Sequence, residues 1–200
     1  MLFPLTPQTN RFITTQYSRT KFLTEQGIEK IIKGLDKDKW IDVGGYQSKE
    51  VGISEEVKSA DRICQAQFLK NDVLPLFEIS QALRQANDEY WKLELNHINL
   101  ITDNISVVKY NTGGLLNWHM DICATLSTRK ISFTIQLSDP KDYEGGDLQF
   151  FEGDKTKINP ALREKGLLIV FPSYSWHRVL PITKGTRYAL VGWVHGPTFK

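Results

Sequence analysis

The stretch Lys130-Ile131-Ser132-Phe133-Thr134-Ile135-Gln136-Leu137 alternates strictly: Ile131, Phe133, Ile135 and Leu137 fall on one face of an extended chain, Ser132, Thr134 and Gln136 on the other. A period of two predicts a β-strand with one apolar face. Working outward, Ile105–Tyr110, Leu148–Phe151, Leu167–Phe171 and Arg187–Val194 read as further strands. They are separated by the turn chemistry of Asn111-Thr112-Gly113-Gly114, Glu144-Gly145-Gly146 and Lys184-Gly185. Many short strands punctuated in this way predict a sandwich, jelly roll or barrel.

Ahead of the strands the pattern is helical. Ile28, Ile31, Ile32 and Leu35 lie on one face of a 3.6-residue period, with Thr24 as N-cap and Glu25 in the first turn. A second helix is expected from about Leu76 to Asn87, opened by Pro75, with Leu76, Ile79, Leu83 and Ala86 facing inward. Between them, Asp42 to Asp61 reads as strand and loop. The fold class is therefore mainly β with flanking N-terminal helices (α+β). Residues 1–200 form one domain, in which 1–100 are a helical and mixed support region and 101–200 hold most of the β core.

Composition narrows the function. The chain has 200 residues, 40% hydrophobic and 24% charged, enough for one core. Its 25 basic and 23 acidic residues leave a formal charge of +2, so no nucleic-acid partner is predicted. Cys64 and Cys123 are too few for a disulfide scaffold or a CxxC zinc site. The opening residues lack a basic region leading into an apolar run, and no window approaches a membrane span, so a soluble cytoplasmic protein is expected.

The chemistry is sought among the four histidines, His97, His119, His177 and His195. In an extended chain residues i and i+2 point the same way, so His119 and Asp121 can offer an imidazole nitrogen and a carboxylate oxygen to one ion. Alone, such a pair is more often a solvated turn. His177 follows the apolar strand Leu167–Phe171 and a tight Pro172-Ser173-Tyr174-Ser175-Trp176 segment. Two histidines and a carboxylate make a facial triad with open metal positions, the geometry of non-haem Fe(II) oxygenases. A 2-oxo acid can chelate at two of the open positions and dioxygen can take the last. A co-substrate with a second carboxylate needs a charged partner, and Arg187 can supply it. Ala189, Val191 and Trp193 share the Arg187 face at period two, so an Arg on that largely apolar face calls for an anion.

With these residues in place the chain resembles a known family. Tyr110-Asn-Thr-Gly-Gly-Leu-Leu-Asn-Trp118-His-Met-Asp121, Arg129-Lys-Ile-Ser, Gln136-Leu-Ser-Asp-Pro140, Tyr143-Glu-Gly-Gly-Asp-Leu148, Phe171-Pro-Ser173, His177-Arg-Val and Gly185-Thr-Arg187 occur in the order and spacing of the Fe(II)- and 2-oxoglutarate-dependent dioxygenases, prolyl 4-hydroxylase-like, PKHD-type branch. The resemblance covers about residues 98–194. It implies a double-stranded β-helix (jelly roll), with His119, Asp121 and His177 as metal ligands and Arg187 pairing the 2-oxoglutarate C5 carboxylate. Tyr110 matches a family tyrosine near the co-substrate. The cofactor set it implies is Fe(II), 2-oxoglutarate and O2, with ascorbate a further candidate. The implied reaction is hydroxylation of a C–H bond of a prolyl residue in a peptide or protein, with release of succinate and CO2. A free amino acid or other small metabolite is the alternative substrate, and a non-catalytic jelly-roll binding module is the alternative of a different class.

Several residues keep a plainer reading beside the functional one. Tyr110 can simply be a packed tyrosine with a hydrogen-bond partner. Ser132 and Gln136 either line a polar interior that holds the co-substrate or face solvent. Trp118 and Trp176 either support the ligands from behind or form a substrate rim. His97 and His195 are expected to be packing or surface histidines, and Gly145-Gly146 a turn.

Overall fold

The computed structural model describes residues 12–13, 17–50, 53–57, 60–69, 74–96, 105–151 and 159–199. In chain order the strands are β1 (Phe12–Ile13), β2 (Ser18–Lys21), β3 (Ile41–Val43), β4 (Gly45–Glu50), β5 (Ile53–Val57), β6 (Arg62–Phe68), β7 (Ser106–Tyr110), β8 (Leu115–His119) and β9 (Arg129–Gln136). After these come β10 (Tyr143–Gly145), β11 (Leu148–Phe150), β12 (Leu167–Pro172), β13 (His177–Val179), β14 (Ile182–Gly185) and β15 (Arg187–His195). Two helices, α1 (Glu25–Lys33) and α2 (Leu76–Ala86), precede β7.

The main sheet runs β1-β2-β12-β9-β15-β7-β6-β8-β13-β11, with β3 also on β6. All its pairings are antiparallel. β6 is the seam: its C-terminal half pairs with β7 through Gln65↔Lys109 to Phe68↔Ser106, while Arg62 and Ile63 pair with Leu116 and Leu115 of β8. The sheet thereby turns back on itself, and β8-β13-β11 face the broad wall β12-β9-β15-β7. This is the curled sheet expected of a double-stranded β-helix.

β9 behaves as its alternation requires, except that both of its faces are buried. Ile131, Phe133, Ile135 and Leu137 pack with Leu168, Val170, Leu190 and Val194 against Ile28 and Ile31 of α1 and Ile79 and Leu83 of α2. Burial of each such aliphatic chain is worth about 1.5–3 kcal/mol, which fixes the helices to the outer face. The other face looks inward, where a second apolar cluster includes Val108, Tyr110, Leu148, Phe150, Ile169 and Phe171.

Both helices form where the spacing places them. Thr24 Oγ1 accepts from Gly27 N at 3.2 Å, capping α1. Ile28 and Ile31 are buried, but Ile32 is 38% exposed: the buried stripe of this nine-residue helix is centred on Gly27, Ile28 and Ile31, and Ile32 lies beyond its edge. α2 runs on into a π-helical turn, Asn87–Trp91. There the Asn87 side chain accepts from Leu93 N and donates to Leu93 O, both at 2.9 Å, replacing the lost helical ladder.

The first hundred residues are more than helical support, because β2, β3 and β6 belong to the sheet itself. β4 and β5 form a separate antiparallel pair within the segment read as strand and loop. Among the described residues no helix is long and apolar enough to cross a membrane.

Candidate active site

The ligand cluster grows from one register fact. β8 ends at His119, β13 begins at His177, and the two residues are direct cross-strand partners. Side chains opposite each other on one face of an antiparallel pair are close neighbours, and the two rings lie 4.1 Å apart between centroids. Asp121 comes two residues after His119, past the strand end, and its position is set by a bond from its N–H to Ser173 O at 2.9 Å. His119 Nε2 lies 3.5 Å from Asp121 Oδ1 and His177 Nε2 3.7 Å from Asp121 Oδ2. All three residues offer a ligand atom within 4.8 Å of the others.

Each imidazole is aimed in the same way. His119 Nδ1 is 2.9 Å from Asn117 O and His177 Nδ1 is 2.9 Å from Ser175 O, in each case the carbonyl two residues upstream. A carbonyl only accepts, so Nδ1 carries the proton and donates, leaving the Nε2 lone pair pointing at the shared space. Burial pushes the His177 pKa down to about 4, against the attraction of Asp121, so the ring is neutral at pH 7. Burial works the other way on Asp121, but His177, His119 and the Ser132 hydroxyl together outweigh it and hold the carboxyl well below the usual carboxylate range. Two imidazole Nε2 atoms turned to one point and an ionised carboxylate, with the rest of the space open to a cavity, fit a divalent first-row metal with free positions.

The cavity is about 720 Å³, and its wall includes His119, Asp121, His177, Tyr110 and Arg187. Arg187, Ala189, Val191 and Trp193 of β15 all face it, as their period-two spacing requires. Arg187 is 2% exposed, stands opposite Tyr110 in the β15–β7 register, and has its guanidinium 5.4 Å from the Tyr110 ring centre. Its Nη2 donates to Gln136 Oε1 at 2.9 Å. Among the described residues Arg187 Nε and Gln136 Nε2 are buried donors without an acceptor, as expected of a place that takes an acceptor-rich anion. Burial pushes the Tyr110 pKa up, reinforced by Cys64 and opposed by Arg187 and Arg62, so its hydroxyl stays protonated.

The sequence-derived candidates sort clearly. His119, Asp121 and His177 come together, as do Arg187, Gln136 and Tyr110, while Ser132 bonds Ser173 at 2.9 Å beside Asp121. Trp118 lines the cavity, edge-on to Phe151 at 5.9 Å and under the Arg178 guanidinium at 4.5 Å; Trp176 is 47% exposed and is not part of the wall. His195 bonds Thr128 Oγ1 at 2.8 Å, away from the cluster, and His97 lies outside the described residues.

Three residues escaped sequence reasoning as candidates: Arg62 and Arg129, which line the cavity, and Gly146, which packs beside Arg187. At Gly146, φ is +66°, and a Cβ would sit 2.2 Å from Ile182 Cδ1 and 3.3 Å from Arg187 Cδ, so glycine there leaves room for the arginine stem. The spacing of Gly146 from Arg187 carries no signal in the linear chain. Arg129 had one, since it opens the strand after Asp121; it stacks on Trp193 at 3.7 Å and donates Nη1 to Asp121 O at 3.4 Å.

Comparison with known proteins agrees with this geometry. The family model of the 2OG-Fe(II) oxygenase superfamily matches residues 105–195, a span containing the whole cluster and Arg187. A PKHD-type hydroxylase of Picosynechococcus sp. is 30% identical over 176 residues, covering 86% of this chain and 74% of the relative. One from Gloeothece citriformis is 29% identical over 173 residues, covering 84% and 72%. Among solved structures, a Pseudomonas putida prolyl-4-hydroxylase superposes with a TM-score of 0.61 at 20% identity, over 91% of this chain and 93% of the other. A prolyl hydroxylase from Trichoplax adhaerens, solved with a peptide fragment of hypoxia inducible factor, gives 0.67 at 15% identity over 92% and 84%. Matched along most of its length to these relatives and folded as they are, the chain belongs to the 2OG-Fe(II) oxygenase superfamily, in its PKHD-type branch, and is a 2-oxoglutarate-dependent iron dioxygenase.

Proposed function

We propose that the protein hydroxylates a prolyl residue of a peptide or protein, with Fe(II) held by His119, Asp121 and His177 and the 2-oxoglutarate C5 carboxylate held by Arg187. The observation that carries this reading is the pairing, across one cavity, of a three-donor cluster with a buried guanidinium whose Nε lacks an acceptor. Support for the substrate class comes from the fold shared with the two prolyl hydroxylases, one of which was solved with a peptide. The two parts of the chain act as one unit in this reading, since strands from the first hundred residues are built into the catalytic sheet.

When bound, Fe(II) and 2-oxoglutarate supply the oxidising power of O2: one oxygen atom goes to the substrate C–H bond, and the other leaves in succinate as CO2 is released. The protein's own work is positioning. Gln136 Oε1 fixes the Nη2 edge of Arg187 and leaves the Nε edge to grip a carboxylate. The Tyr110 hydroxyl, kept protonated by burial, is a donor at the same end of the cavity. Asn117 O and Ser175 O accept from Nδ1 of the two imidazoles and hold both rings with Nε2 turned toward the shared space. Ala189 and Val191, which follow Arg187 on the same face of β15, add apolar surface to the cavity wall.

The test is anaerobic titration with Fe(II) and 2-oxoglutarate, followed by their shared visible absorption band, then succinate release with prolyl peptides and with free L-proline. The wild type develops the band and Asp121→Ala abolishes turnover. Succinate release driven by free proline but by no peptide would overturn the peptide reading, and a folded protein that binds neither metal nor co-substrate would overturn the site.

A further inference from the structure

Arg62 is unused by the reading above, and its surroundings are unusual for an arginine. It opens β6, the strand next to β8, which carries His119, and its neighbour across the ladder is Leu116. The side chain is half-buried and forms part of the cavity wall. Its hydrogen bond runs from Nε to Cys64 Sγ at 3.4 Å, a weak acceptor, and among the described residues no carboxylate lies within ion-pair distance. An arginine is always charged, and a partly desolvated charge without an anion is costly, so the remaining guanidinium nitrogens call for one.

The charges in the cavity indicate where that anion comes from. Among the described residues, Asp61, Arg62, Asp121, Arg129 and Arg187 are the Asp, Glu, Lys and Arg residues of its wall. Fe(II) and 2-oxoglutarate carry equal and opposite charge, and Asp121 and Arg187 cancel. Asp61 and Arg129 also balance. Each is already engaged, Asp61 Oδ1 by Asn117 Nδ2 at 3.1 Å and Arg129 by the Trp193 face and the Asp121 carbonyl. With the co-substrate bound, one positive charge remains among the described wall residues, and Arg62, bonded to a weak sulfur acceptor, is the one placed to carry it.

We propose that Arg62 receives a carboxylate of the substrate, so that the enzyme selects targets carrying a negative group close to the residue it hydroxylates. This rests on the dioxygenase reading, because the charge balance counts its metal and co-substrate. The shared chemistry is a carboxylate, whether an Asp or Glu side chain beside the target proline or the α-carboxylate of a terminal or free proline. An Arg–carboxylate bond at a partly buried site corresponds to an affinity difference of about ten- to a hundredfold.

The experiment is calorimetric titration of the anaerobic Fe(II)–2-oxoglutarate enzyme with four probes: the blocked tripeptides acetyl-Ala-Pro-Asp-amide and acetyl-Ala-Pro-Asn-amide, and N-acetylproline with its amide. At least one acid binds more tightly than its amide by about tenfold or more, and the pair that discriminates tells the side-chain source from the α-carboxylate. In Arg62→Gln the discrimination collapses to within about twofold, and in Arg62→Lys part of it returns, because the charge is kept without the fork. Thermal unfolding of each variant confirms that it is folded. Equal binding of acid and amide by the wild type, or undiminished discrimination in Arg62→Gln, overturns the assignment. So does a loss of 2-oxoglutarate affinity in Arg62→Gln as large as the loss for the acid probe, which would give the residue to the co-substrate. If the wild type binds no 2-oxoglutarate at all, the dioxygenase reading falls and takes the charge balance with it.

Discussion

Replacing Arg187 with Met should move stability and co-substrate affinity in opposite directions. Arg187 is 2% exposed, its Nη2 is satisfied by the Gln136 amide, and its Nε has no acceptor. In the ligand-free protein it is a buried charge whose partners among the described residues are an amide dipole and the face of Tyr110. Met keeps most of the volume and removes the charge, so the ligand-free variant should be as stable as wild type or more stable by about 1 kcal/mol. In a chain of this size that is about 2–4 °C in Tm. With 2-oxoglutarate the sign reverses: losing a charge-assisted bond costs about 1.5–3 kcal/mol, or about 10- to 150-fold in Kd. At about 100 times the wild-type Kd, the co-substrate stabilises wild type by about 2.7 kcal/mol, whereas a variant weakened about 50-fold gains only about 0.6 kcal/mol. Anaerobic thermal unfolding of the Fe(II) protein with and without 2-oxoglutarate reads both quantities in one instrument. A variant that is less stable without ligand yet keeps its full ligand-induced shift would refute the assignment, since Arg187 would then be a structural cation.

The metal-free protein should lose stability on acidification as His177 resists protonation: its folded pKa of about 4 lies below the unfolded value near 6.5, so the contribution is complete above about pH 6.5 and is lost as pH falls toward 4. Denaturant midpoints of wild type and His177→Gln across that window should converge toward low pH; parallel profiles would contradict the burial of a neutral ring. Thr24→Ala removes the acceptor for Gly27 N and should cost about 1 kcal/mol, or about 2–4 °C in Tm, with no change in 2-oxoglutarate affinity.

How far the sequence could be read depended on which residues each strand buries. β9 alternates apolar and polar letters, β12 is an unbroken apolar run buried throughout, and β15 is rich in apolar residues, so all three strands are visible in the letters. β6 buries Cys64, Ala66 and Gln67, and β2 buries Ser18 and Thr20, so neither shows a hydrophobic period. Gln67 can be buried because its amide pairs with the Asp36 backbone, accepting from N at 2.7 Å and donating to O at 2.6 Å, a tertiary contact that no local pattern announces. The candidate metal ligands were legible because the chemistry of such a site restricts residue type and their spacing fits a strand. Arg62 was not, because its meaning depends on β6 lying beside β8.

The last strand, β15, is also the central one, lying between β9 and β7, which are made well before it. A nascent chain that has not yet reached residue 187 therefore holds β7 and β9 with open edges facing a missing neighbour, and unpaired edges invite association with other chains. β15 delivers Arg187, Ala189, Val191 and Trp193 as it closes that gap. Completion of the sheet and acquisition of the guanidinium are thus a single event in the life of the chain. A molecule synthesised only as far as residue 186 lacks the candidate co-substrate arginine together with the strand that joins β7 to β9.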